Sequence, residues 1–257
     1  MKKVLGVSFL ALALTACGGG SSDSTEYKGV DGDESTQTRL MGVYFGSTDQ
    51  AQDVIGLVDK NNKYWFLYSP PYSSGVTGLM TGNLAVSKDS IKATNGKDYF
   101  FGGASVDNNS LNATVDSEKG LNGTITYTPS NQVSFDIEYD QSVNESKASL
   151  STIAGTYYGE SVLIQGMENA NLTISSLGVV SGRGNSGCTF SGRITAEENA
   201  PYYNVNLVFG YSPCYLAGQE VNGIAYYDAN DELLYAATET SSRTNAVLFL
   251  GSKSVPR

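Results

Sequence analysis

The 257-residue sequence contains no histidine. That excludes Ser-His-Asp triads, histidine general bases and the common histidine-bearing zinc sites. Cationic side chains are scarce too: 16 Lys and Arg stand against 26 Asp and Glu, a formal net charge of −10. Such a field repels polyanions, so DNA, RNA and lipopolysaccharide phosphates are poor electrostatic partners. Long apolar runs are missing beyond the N-terminus, where none approaches the roughly 20 residues of a membrane-spanning helix. Proline is infrequent, with six in all. Nowhere do apolar residues recur at helical spacing for three turns. What is plentiful is Tyr, Val, Thr, Ile and Phe in short runs, interrupted by Gly, Asn and Asp, which is the composition of strands and turns.

The first residues answer a different question. Met1-Lys2-Lys3 is a short basic start, and Val4 to Ala16 is an apolar stretch of 13 residues, too short to span a bilayer but the length of a signal-peptide core. It ends Leu14-Thr15-Ala16-Cys17, which resembles the lipobox of bacterial lipoproteins. The resemblance implies removal of residues 1–16, a diacylglyceryl thioether on Cys17 and acylation of its new amine, palmitate being a usual chain. Several acyl chains anchor stably where one alone is marginal. Residues 17–39, rich in Gly, Ser, Asp, Glu and Thr, then read as a lipid-anchored flexible tether. Gly18 stands where an Asp would favour inner-membrane retention in enteric-type lipoproteins, so the likeness implies the outer membrane, with either face possible. The mature chain would keep 14 basic and 26 acidic side chains, near −12.

With Cys17 lipidated, Cys188 and Cys214 remain. In an oxidising envelope an isolated pair most simply forms one disulfide. A loop of 27 residues would then be closed, worth roughly 3 kcal/mol in the chain-entropy model.

Sequence alternation predicts an all-β body: two tandem small antiparallel β-barrels or β-sandwiches, with one long sandwich as the alternative. The N-terminal β domain is 40–141, the linker 142–152 and the C-terminal β domain 153–257, each domain holding eight short strands. Among the expected strands are Val76–Ser87 and Asp98–Ser105. Val133 to Tyr139 alternates strictly, so one face is buried and one wet. Two echoes suggest duplication. Gly42-Val-Tyr-Phe-Gly46 opens the first series and Gly155-Thr-Tyr-Tyr-Gly159 the second, while Leu121-Asn-Gly-Thr-Ile-Thr-Tyr127 is matched by Val221-Asn-Gly-Ile-Ala-Tyr-Tyr227. The run from Gly155 through Leu172-Thr-Ile174, Gly187-Cys188, Tyr203 to Phe209, Cys214 and Gly223 to Tyr227 resembles an uncharacterised group of proteobacterial envelope lipoproteins with two β domains. That likeness implies a β fold and the Cys188–Cys214 bridge, and carries no activity.

The densest apolar cluster is Lys63-Tyr64-Trp65-Phe66-Leu67-Tyr68-Ser69-Pro70-Pro71-Tyr72. Trp65, Tyr68 and Tyr72 are the candidate ligand contacts, because aromatics concentrate at binding hot spots; core plus an interdomain seam is the competing reading. The doublets Tyr157-Tyr158, Tyr202-Tyr203 and Tyr226-Tyr227 should each place one ring inside and one outside. Asp31-Gly-Asp33-Glu34 and Asp228-Ala-Asn230-Asp231-Glu232 are acidic, yet neither repeats the twelve-residue calcium-loop pattern. No cofactor or metal is assigned. The best-supported role is a non-enzymatic binding module at the outer membrane for a protein, glycan or small ligand. The alternatives are a periplasm-facing accessory of envelope assembly and a wall or capsule hydrolase with paired carboxylates.

Overall fold

A computed structural model describes residues 40–116 and 120–254. Cys17, the lipobox, the tether and the 31–34 acidic group lie outside the described residues. Among the described residues no helix is long and apolar enough to cross a membrane.

The chain is all-β and forms two tandem antiparallel barrels. The first is built from β1 (Gly42–Thr48), β2 (Asp53–Val58), β3 (Lys63–Tyr68), β4 (Gly78–Asn83), β5 (Ala85–Ser87), β6 (Ser90–Phe100), β7 (Ser105–Val115), β8 (Leu121–Thr128) and β9 (Asn131–Tyr139). Each strand pairs with the next, β1 pairs with β9, and β4 pairs with the second half of β6, so eight strands close a ring. The short β5 lies alongside the first half of β6, outside the ring, from Ala85 opposite Lys92. Two short helices follow, α1 (Gln141–Glu145) and α2 (Leu150–Ile153). The second ring runs in order through β10 (Gly155–Leu163), β11 (Gly166–Ile174), β12 (Val179–Gly184), β13 (Thr189–Ala196), β14 (Tyr202–Phe209), β15 (Glu220–Asp228), β16 (Leu233–Thr240) and β17 (Ala246–Lys253), which pairs back to β10. Closure removes the unpaired edges that an open sheet would expose.

Local alternation works as the sequence requires: on β9, Val133, Phe135 and Ile137 are buried while their neighbours are exposed. Two strand readings need correction. Val76–Ser87 is broken into β4 and β5, because β6 changes partner between them. Asp98–Ser105 spans the tight turn from β6 to β7, where Gly102 and Gly103 allow the reversal and Ala104 sits at φ 53°. The polar 142–152 stretch is pinned rather than loose. The Ala148 amide donates to the Ala200 carbonyl at 2.8 Å, and the Tyr203 hydroxyl bonds both the Ser149 amide and the Ser149 carbonyl, at 3.1 and 3.0 Å.

The first sequence echo has a structural basis. In each barrel the opening strand carries a Tyr whose hydroxyl donates to the carbonyl four residues earlier: Tyr44 to Leu40 at 2.7 Å and Tyr157 to Ile153 at 2.9 Å. Two residues further on, Gly46 and Gly159 pass so close to the last strand that any Cβ would overlap its backbone. Both barrels are therefore plugged at the same end by the same device. The second echo is not equivalent. Leu121 opens the seventh ring strand of the first barrel, whereas Val221 belongs to the sixth of the second.

The barrels pack outer face to outer face. Val43, Leu57, Trp65, Leu67, Leu79 and Tyr99 of the first meet Tyr202, Ile224, Tyr226, Ala237 and Leu248 of the second in one apolar cluster. This is why β3 has no wet face. Tyr64, Phe66 and Tyr68 fill the barrel while Trp65 and Leu67 fill the seam. A void of about 10 Å³ is left there, lined by Trp65 and Tyr226 among others, the bare minimum for one water. A polar clamp borders the seam: the buried Glu239 carboxylate accepts from Lys63 Nζ at 2.6 Å, Tyr99 Oη at 2.7 Å and Arg243 Nε at 3.2 Å. Arg243 also donates to the carbonyls of Asn95 at 2.7 Å and Thr81 at 2.8 Å.

Candidate functional site

An eight-stranded barrel has an interior just wide enough for side chains, or for one small ligand. In the N-terminal barrel the stripe from β3 decides where filling stops. Tyr64 and Phe66 pack at 4.9 Å between ring centroids, and Phe66 meets Phe135 at 5.6 Å, closing the middle of the lumen. Tyr68 is the last inward ring, and beyond it a cavity of about 510 Å³ opens. The cavity lies at the end opposite the Tyr44 plug, beneath the turn carrying Gln50 and Gln52 and the turn carrying Thr128 and Asn131.

Asp98 lies in the cavity wall, on β6. Its side chain points inward with Gly96 and Phe100, and only 5 % of the residue is exposed. Tyr68 crosses the intervening strand to reach it, which is possible because Gly78, its register partner on β4, has no Cβ to block the ring. The Tyr68 hydroxyl donates to Asp98 Oδ1 at 2.8 Å, and the Tyr127 hydroxyl from β8 donates to Oδ2 at 2.6 Å. Asp107 stands directly opposite Asp98 on β7 and lines the same cavity, with Ser105 Oγ donating to it at 3.0 Å. Side chains directly opposite on neighbouring strands share a face, so two carboxylates are set side by side. Among the described residues no Lys or Arg lines the cavity.

The electrostatics follow from that placement. Burial raises the Asp98 pKa above the ordinary carboxylate range; the two phenol hydrogen bonds pull it back, and the Asp107 charge adds to the rise. Burial also pushes the Tyr68 and Tyr127 phenols above their usual values, with the Asp98 charge adding to both, so they remain donors at any physiological pH. Asp98 is buried while Asp107 is exposed beside it; the buried carboxylate is costly alone and is relieved by a positive guest. Each Asp98 oxygen accepts one phenol hydrogen bond and keeps a second lone pair free for a guest.

The three aromatic candidates separate. Trp65 is 3 % exposed at the seam, with Lys63 Nζ 4.1 Å from its ring centroid, so it offers no ligand surface, and that reading is corrected. Its position follows from parity on β3: residues alternating with Tyr64, Phe66 and Tyr68 must face the other barrel. Tyr68 is buried rather than displayed, but its hydroxyl reaches the cavity wall. Tyr72 is 93 % exposed on the loop after β3, held by its amide to the Ala51 carbonyl at 2.9 Å, beside the Gln50–Gln52 rim. It is brought near the mouth without lining it.

Of the tyrosine doublets, only Tyr157-Tyr158 has a ring in solvent; the outward rings of the other two, Tyr202 and Tyr226, lie in the seam. The 228–232 acidic run is a hairpin turn in which Asp228 Oδ1 accepts the Asn230 amide at 2.8 Å. Cys188 and Cys214 are joined by a disulfide. Sequence reasoning missed Asp98 and Tyr127. The available signal was the inward parity of Gly96, Asp98 and Phe100, an acid where a barrel strand should carry an apolar residue.

No family model matches the chain, and no curated protein matches it in sequence. Among solved structures it is similar to a candidate outer membrane protein of Bacteroides fragilis, with 11 % identity over 84 % of this chain and 99 % of that one, at a TM-score of 0.28. It is also similar to a double mutant of the vaccine antigen Transferrin Binding Protein B from Haemophilus parasuis, with 11 % identity, a TM-score of 0.30, and coverage of 80 % of this chain and 52 % of that one. A protein with unknown function from Nostoc punctiforme gives 10 % identity, 84 % and 97 % coverage and a TM-score of 0.27.

Proposed function

We propose that this chain is a lipid-anchored envelope protein whose paired barrels form a non-enzymatic binding module. The lumen of the N-terminal barrel takes a small ligand bearing a positively charged nitrogen. One observation carries the reading: a cavity of about 510 Å³ whose wall holds a carboxylate 5 % exposed, served by two phenols and facing a second carboxylate. The ligand's ammonium or guanidinium sits between Asp98 and Asp107, and Gln50, Gln52 and Asn131 at the rim read its polar remainder. The Cys17 anchor and the tether keep the module at the membrane. A periplasm-facing accessory and a surface receptor would both use the same pocket.

Calorimetric titration of the purified protein at neutral pH with arginine, 1,4-diaminobutane and glucose tests this. The amine or the guanidine binds, and Asp98→Asn weakens it by about tenfold or more, the worth of one charge-assisted contact. Glucose binding as tightly as the cations, or cation binding indifferent to Asp98→Asn, would overturn the reading.

A further inference from the structure

The C-terminal barrel shares the plug of its neighbour and is likewise open at the far end. There the β10–β11 turn, the β12–β13 turn and the loop after β14 surround a second cavity of about 260 Å³. Its chemistry is the reverse of the first. The floor is Phe190 against Phe209, 5.7 Å between centroids, with Leu163, Ala170 and the disulfide-bonded Cys188 around them. At the rim Met167 and Tyr215 keep 63 % and 62 % of their surface exposed, a standing cost for apolar groups that a bound molecule would relieve.

Two polar residues say what that molecule carries. Ser161 lines the cavity, is 7 % exposed, and its hydroxyl makes no hydrogen bond to any described residue. Its cross-strand neighbours are Glu168 and Phe249, and the residue lines the cavity, where an occupant can reach it. Glu168 is the one charged residue in the lining among the described residues. Its two oxygens accept from the Ser186 amide at 2.7 Å and hydroxyl at 3.1 Å, which fixes the carboxylate at the mouth.

We propose a second small-molecule site in the C-terminal barrel, for a neutral compound with a single-ring aromatic or equally compact hydrocarbon body and one hydroxyl that bonds Ser161. An apolar cavity of about 150 Å³ takes up benzene; one of about 260 Å³ therefore holds a ring with a short polar arm. The Ser161 hydroxyl is open to the cavity and has no protein partner among the described residues, so a guest hydroxyl can take the place of solvent there. The fixed Glu168 carboxylate at the mouth disfavours anionic guests by like-charge repulsion. The site stands independently of the acidic lumen of the first barrel, and a single plug-and-mouth architecture thereby presents two unlike pockets.

The test uses full-length protein, ligand-observed NMR titration and three probes of one size: benzyl alcohol, toluene and benzoate. Benzyl alcohol should bind in the millimolar range, toluene more weakly, and benzoate about tenfold or more weaker than the alcohol. Ser161→Ala, a mild change, should bring benzyl alcohol down to the toluene level. Ala170→Leu, which narrows the floor, should weaken both; Asp98→Asn should leave both unchanged. No binding of either neutral probe, benzoate binding as well as the alcohol, or an alcohol preference that survives Ser161→Ala would each sink the proposal.

Discussion

Replacing Glu239 by alanine should damage the joint between the barrels more than any change on their outer surfaces. The Tyr99 hydroxyl, on a residue with no exposure, loses its acceptor at 2.7 Å, a penalty of about 1–3 kcal/mol for a buried donor left unmade. Lys63 and Arg243 lose their counter-ion, but their side chains are 25 % and 24 % exposed and rehydrate in part. Arg243 also keeps the Asn95 and Thr81 carbonyls. Together these two contribute about 1 kcal/mol. The expected loss is thus about 2–4 kcal/mol, or roughly 5–15 °C in Tm for a unit of this size. The assay is built in, because Trp65 is the one tryptophan in the sequence and lies in the seam. Its fluorescence during urea or thermal unfolding reports separation of the barrels. Glu239→Gln, which keeps an acceptor for Tyr99, should cost about half as much. A Glu239→Ala midpoint within about 0.5 kcal/mol of wild type, the range of ordinary surface changes, would refute the clamp.

Other outcomes can be checked in the same preparations. The folded-state pKa of Asp98 is raised. The folded protein therefore holds this proton to higher pH than the unfolded chain, and stability falls as pH rises from about 3.9, the unfolded value, to the folded pKa. Asp98→Asn should abolish that slope and weaken cation binding; an unchanged pH profile of the urea midpoint would refute it. Cys188→Ala with Cys214→Ala should cost about 3–4 kcal/mol by freeing a loop with a separation of 26 residues, measured as the loss in chemical-denaturation midpoint. Cys17→Ser should move the protein from the membrane to the soluble fraction; continued membrane association after that change would remove the lipid anchor from the account.

Several features were legible in the chain because they are local. Strand parity follows from a period of two, so Val133, Phe135 and Ile137 could be placed inside from their spacing alone. Continuous apolarity from Tyr64 to Tyr68 announced a strand buried on both faces, and the two Gly-x-Tyr-x-Gly openings marked two equivalent strands. The all-β class and the pairing of two remaining cysteines needed no more than composition, count and compartment. The acidic site was illegible, because Asp98 gains meaning only from Tyr68, 30 residues before it, and Tyr127, 29 after it. No local pattern encodes which residues a closed ring brings across its lumen. The same holds for the clamp, where Tyr99 and Glu239 are 140 residues apart. Alternation decides which way each side chain points, and it is a property of the neighbouring backbone. What a side chain meets is decided by ring closure and by docking of the two barrels, both set by the summed burial of distant apolar faces that no short stretch contains.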